Sequence, residues 1–179
     1  MDTLSKKKRP PGASPLAFHR DSPYFMFEPN DVITVWIALD DMEEEIGPLQ
    51  YVKGSHKWGN GRFGSSNTFF ESGTNLLQSA AKRAGIEDVT LLEIVSMAGL
   101  KAGGVSIHDG RTWHGSGKNQ SSTKPRRGIG LHYVPAQVQW TPDANQSSLW
   151  KKYVKGHPDE KVATIPISED DFPLCYSKS

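Results

Sequence analysis

The sequence predicts an all-β domain of jelly-roll type with minor helices. Three observations lead there. Short β-branched and aromatic runs recur along the chain, separated by Gly, Pro, Asn and Asp clusters. Gly (17) and Pro (12) are abundant, as turn-rich β folds require. Only one convincing helical stretch interrupts the strands, so no alternating βα pattern forms.

The elements follow in order. Residues 1–14 are charged and Pro-rich and read as a disordered tail. A short strand is expected over Leu16–Asp21, and the clearest one over Val32–Leu39, which has apolar residues on both faces. The acidic turn Asp40–Gly47 leads into a strand at Leu49–Val52 and a Gly-Ser-His loop. Residues 59–74 lack periodicity and read as a long active-site loop. Asn75–Ala84 has helical spacing and ends at Gly85. Strands are expected again at Thr90–Met97, Gly104–His108 and Arg127–Val134, with a short helix at Ser147–Val154. Asp109-Gly110 reads as a hairpin turn between His108 and the Arg111–His114 segment. The expected organisation is therefore a jelly-roll domain over 15–156 and a polar tail over 157–179.

At 179 residues the chain can build one substantial core. Its formal charge of +1 supplies no field that would imply nucleic acid as partner. No apolar run reaches a membrane-spanning length, and the start lacks the apolar stretch of a secretory signal. The ending Ser-Lys-Ser is one residue off a peroxisomal address, so a cytoplasmic location is expected. Lys6–Arg9 could serve nuclear import, but a solvated tail is the favoured reading. Cys175, the single cysteine, has no disulfide partner within the chain.

His19-Arg20-Asp21 is the first feature that carries chemistry. On a strand, His19 and Asp21 share a face while Arg20 turns away. A third ligand from a distant strand would complete a two-histidine, one-carboxylate triad with open positions on Fe(II). Taken alone, such a triplet is more often a structural or surface feature. A second histidine, His114, enters the Gly-rich turn Trp113-His114-Gly-Ser-Gly-Lys-Asn119. Further on, alternation puts Arg126, Gly128, Gly130 and His132 on one small, polar face suited to a cavity wall. The opposite face, Arg127, Ile129, Leu131 and Tyr133, is expected to pack into core. Arg126 could grip a dicarboxylate through paired charge-assisted hydrogen bonds, or be an ordinary strand-end arginine.

These segments together resemble the phytanoyl-CoA dioxygenase family. The likeness rests on His-x-Asp, on Ile33-Thr-Val-Trp-Ile-Ala-Leu-Asp-Asp41 and on Gly47-Pro-Leu-x-Tyr-Val-x-Gly-Ser-His56-Lys-Trp-Gly59. It continues in Ala102-Gly-Gly-Val-Ser-Ile-His-Asp-Gly-Arg-Thr-Trp-His114-Gly-Ser-Gly-x-Asn119, followed by Arg126. The resemblance implies a cupin-like double-stranded β-helix, Fe(II), and 2-oxoglutarate and O₂ as cosubstrates. It assigns His19, Asp21 and His114 to the metal and Arg126 to the distal carboxylate of 2-oxoglutarate, with Trp36 and Ser116 beside that cosubstrate. Asp21 favours hydroxylation, since iron halogenases of related fold lack that carboxylate. Arg20 departs from the glutamine common in relatives. Only 18 residues precede His19, where relatives carry a long N-terminal region with an early strand. The chain is therefore expected to lack part of the family domain and to self-associate through an uncovered edge.

The rival histidines have other expected roles: His108 as a support or hairpin residue, His56 as a structural loop residue, His132 on the cavity wall or packed in its strand. The expected substrate is a small organic molecule. A non-catalytic binding jelly roll and a cupin-like metal hydrolase or isomerase are the alternatives.

Overall fold

Strand β4 (Ile33–Ala38) organises the molecule, because its alternation is apolar on both sides and its Thr34, Trp36 and Ala38 side chains are buried. The structure, a computed structural model, describes residues 5–59 and 76–177. Around β4 runs an antiparallel sheet in the order β1 (Ser5–Arg9), β9 (Arg126–Tyr133), β4, β7 (Val105–Asp109). A second antiparallel sheet has the order β2 (Leu16–His19), β8 (His114–Ser116), β5 (Leu49–Val52), β6 (Ile94–Ser96). A small pair joins β3 (Phe27–Glu28) to β10 (Gln139–Trp140). The all-β jelly-roll expectation is met, with two sheets facing each other across a shared cavity.

Helix α1 (Leu76–Arg83) buries Ala80 and Ala81 and packs beside β2. It ends as its sequence predicts: Gly85 takes φ 82°. The Ile86 amide returns to Ala81 O at 2.9 Å and the Gly85 amide to Lys82 O at 3.0 Å, the two bonds of a Schellman stop. Helix α2 (Lys151–Val154) is shorter than the expected Ser147–Val154.

Five readings of the sequence are corrected. The segment expected to be disordered contains β1, which pairs with β9 from Ser5↔Gly130 to Arg9↔Arg126. Asp109-Gly110 does not close a hairpin, since β7 and β8 lie in different sheets. The turn instead carries the chain across the sandwich: the Gly110 amide donates to Val32 O (2.7 Å), and its carbonyl accepts from the Asp21 and Ser22 amides. A side chain is excluded at Gly110, where a Cβ would stand 2.8 Å from Val32 Cβ. Thr90–Met97 is strand only at Ile94–Ser96, after a 3₁₀ turn at Val89–Leu91 whose N-terminus is capped by Asp88.

The polar tail is no appendage. Val162 and Phe172 are buried with Phe25, Phe27, Trp140, Trp150 and Val154 in an aromatic core under β3 and β10. Its apolar anchors are spaced too widely to show periodicity, and they pack because each meets a ready aromatic surface. The outer face of the first sheet is also not core. Arg127 is exposed and Ile129, Leu131 and Tyr133 are half-buried. Beside them Val35 and Ile37 are half-buried, while Ile33, Val105 and Ile107 are exposed, Ile107 at 68%. The expected loop at 59–74 lies outside the described residues after Gly59.

Candidate metal centre and cosubstrate cavity

His19 and His114 are direct register partners on β2 and β8, with ring centroids 4.2 Å apart. Each ring is set by its own backbone. His19 Nδ1 donates to Ala17 O (2.8 Å) and His114 Nδ1 to Thr112 O (3.0 Å). With Nδ1 donating to a carbonyl, Nε2 is the ring nitrogen left to meet Asp21 or a metal. Both Nε2 atoms face Asp21 Oδ1, at 3.8 Å from His19 and 3.6 Å from His114.

Asp21 reaches this point by a route strand alternation does not supply. Strand β2 stops at His19, and Asp21 has helical backbone (φ −80°, ψ −42°) ahead of the 3₁₀ turn Ser22–Tyr24. Its amide donates to Gly110 O at 2.8 Å, so the crossing after β7 fixes it. Arg20 does turn away: it is buried, donates to Gly59 O (2.8 Å) and lies over the Trp113 ring at 5.5 Å. Burial lowers its pKa.

The three candidate ligands His19, Asp21 and His114 are buried, and their ligand atoms lie within 4.8 Å of one another. Burial works to raise the Asp21 pKa, but His114, the hydrogen-bonding His108, His19 and His132 outweigh it and hold the carboxyl well below its ordinary range. A carboxylate oxygen and two imidazole nitrogens directed at one spot form a donor set for a cation, which would displace any proton held on Nε2.

A row across the first sheet closes the other side. His132, Thr34 and His108 are register partners on β9, β4 and β7. His108 thus lies beside Asp21, with Nε2 3.3 Å from Oδ2, and not in a hairpin. Thr34 was missed, although it occupies an inward position of the most legible strand. Tyr51 on β5 bridges the sheets, with its hydroxyl 2.7 Å from Ser106 Oγ on β7.

The cosubstrate candidates share the same cavity. Arg126, Trp36, Gly128, Gly130 and His132 line it together with Asp21 and His114. Arg126 is only 6% exposed and donates to Ser116 Oγ at 2.9 Å, while that oxygen also accepts from the Leu16 amide. Arg127 points outward and pairs with Asp40. Asn119 closes the loop after His114 by donating to Lys124 O (2.8 Å) and accepting from the Ser121 amide.

The family model for phytanoyl-CoA dioxygenase (PhyH) matches residues 1–128. The chain belongs to that family. A probable alpha-ketoglutarate-dependent hypophosphite dioxygenase of Stutzerimonas stutzeri is 27% identical over 130 residues, 73% of this chain and 43% of that protein. Among solved structures, the non-heme alpha-ketoglutarate-dependent epimerase SnoN from nogalamycin biosynthesis superposes with a TM-score of 0.64 at 23% identity. That match covers 93% of this PhyH-family chain and 60% of SnoN. The carbocyclase SnoK from the same biosynthesis gives 0.59 at 24% identity, covering 76% and 51% of the two chains. At such identities the likeness establishes the jelly-roll fold. The chain spans less than half the length of the curated relative and three-fifths of SnoN. Among the described residues no helix is long and apolar enough to cross a membrane.

Proposed function

We propose that this chain carries the metal- and cosubstrate-binding part of an Fe(II)- and 2-oxoglutarate-dependent oxygenase that hydroxylates a C–H bond of a small organic substrate. One observation carries the reading. Two imidazole nitrogens and one carboxylate oxygen converge within 4.8 Å, beside a cavity that the buried Arg126 helps to line. The donor set of two nitrogens and one oxygen suits Fe(II) and leaves coordination positions open. Family membership and the alpha-ketoglutarate dependence in the relatives' names support the choice of cofactor and cosubstrate.

Bound there with 2-oxoglutarate and O₂, Fe(II) would supply the oxidant for the C–H bond. The chain's own residues do the rest. His19 and His114 keep their Nε2 atoms aimed by donating Nδ1–H to carbonyls. Arg126 offers a desolvated cation to the far carboxylate of 2-oxoglutarate, with Ser116 holding its orientation. Trp36 and Leu49 form apolar wall and exclude water from the reacting centre. The exposed thiol of Cys175 suits a reducing cytoplasm.

Anaerobic titration tests this. The chain should bind about one Fe(II), develop a charge-transfer band on addition of 2-oxoglutarate, and release succinate in air. His19→Ala and His114→Ala should abolish all three. Full iron binding in both variants would remove the triad.

A further inference from the structure

The two oxygens of Asp21 have separate neighbours. Oδ1 faces His19 Nε2 and His114 Nε2 at 3.8 and 3.6 Å. Oδ2 accepts the Thr34 hydroxyl at 2.7 Å and lies 3.3 Å from His108 Nε2. Behind Thr34, His132 Nδ1 is 2.9 Å from the same hydroxyl and 3.8 Å from Oδ2.

Counting protons fixes the direction of each bond. An ionised carboxylate only accepts, so the single Thr34 proton goes to Oδ2. In its contact with His132 the hydroxyl must then accept, and His132 carries Nδ1–H. His108 reaches Oδ2 with Nε2–H for the same reason. Both lone pairs of Oδ2 are thereby engaged, while those of Oδ1 are left toward the two metal-facing imidazoles.

We propose that Thr34, backed by His132 and joined by His108, is a positioning residue that locks the Asp21 carboxylate so that a metal takes Oδ1 alone. This rests on the metal reading above and adds the residues that hold the carboxylate in place. Free rotation about Cβ–Cγ would let both oxygens bind and consume a position that 2-oxoglutarate or O₂ needs. Thr34 occupies the same cross-strand row as the two histidines, so one sheet supplies the whole clamp and the other supplies both imidazole ligands.

Co(II) titration of the full chain tests the proposal, with the d–d absorption reporting coordination and metal-free melting measured in parallel. Thr34→Val removes the donor at constant shape. It should alter the Co(II) spectrum and weaken binding on the order of tenfold, the scale of support lost behind a ligand. Thr34→Ser should restore both. A Thr34→Val protein that melts lower but keeps the native spectrum and affinity makes Thr34 merely structural and overturns the idea. His108→Leu that abolishes binding as fully as His114→Ala makes His108 a ligand, and also overturns it. If the native chain binds no Co(II), the metal reading itself fails. Imidazole ¹⁵N spectra of the metal-free native chain then decide this one, as they do if Thr34→Val does not fold. His132 should be the Nδ1–H tautomer and His108 Nε2–H, and either tautomer reversed refutes the clamp.

Discussion

The Trp36 indole covers Gly128: a Cβ built at Gly128 would stand 2.5 Å from the indole Cε2 and 2.7 Å from Nε1. The indole needs that space because Trp36 and Gly128 are inward neighbours on paired strands, next to Arg126. Gly128→Ala should therefore push the ring into the cavity. We expect a loss of about 1–3 kcal/mol in urea unfolding, the usual range for overpacking, together with weaker 2-oxoglutarate binding. Unchanged values for both would mean that the ring moves aside at no cost.

Arg126 and Arg127 offer an internal control, since neighbours on one strand face opposite ways. Arg126→Ala should cost about 2–5 kcal/mol in 2-oxoglutarate binding, as expected for leaving a desolvated carboxylate without its partner. Arg127, exposed and paired with Asp40, should be dispensable for that binding. A charge-transfer titration separates the two, and the opposite ranking would contradict the inward facing of Arg126.

Burial pushes the Tyr51 hydroxyl up to about 12, against the lowering influence of its hydrogen bond to Ser106. Because the folded state holds this proton more tightly than the unfolded chain, its contribution to stability is complete below about pH 10 and fades between about 10 and 12. Phenolate absorbance should show late titration of Tyr51 that Tyr51→Phe removes. At neutral pH that variant should lose about 1 kcal/mol, the net worth of one hydrogen bond.

The outer face of the first sheet exposes Ile33, Val105 and Ile107, with β7 at the sheet edge. We propose a second copy of the chain as the partner there, because apolar surface next to a strand edge that pairs with no other strand among the described residues favours association. Sedimentation velocity should show concentration-dependent self-association that Ile107→Lys reduces. A chain that stays monomeric over the whole concentration range would refute this.

Much of the fold was legible because β4, β5, β7 and β9 announce themselves by alternation and composition. The candidate site was legible because His19, Asp21, His114, Ser116 and Arg126 sit in short motifs whose order is informative. What escaped was nonlocal. Asp-Gly signals a tight turn whether the next strand returns to the same sheet or crosses to the other, so the local signal at Gly110 could not tell these apart. Val162 and Phe172 lie in polar surroundings, and only the aromatic surface they meet reveals them as core. Asp21 reached its place by a helical bend and not by the alternation expected of it, which left the convergence intact but changed its cause. Thr34 and His108 needed the register of three strands before they could be recognised as neighbours.

The crossing at Gly110 has a mechanical consequence. Its carbonyl anchors the Asp21 and Ser22 amides while its amide is tied to Val32, the residue before β4. The carboxylate is thus suspended between the layers, with imidazoles of one sheet on one side and the Thr34 row of the other sheet behind it. A cation drawn into that gap would act as a rivet through the sandwich. Prying the sheets apart would then require expelling it, so occupancy at a hundred times the dissociation constant would add about 2.7 kcal/mol against unfolding. Heat resistance of the whole domain would rise with the logarithm of metal concentration, which makes a melting curve a direct gauge of how firmly the layers are pinned.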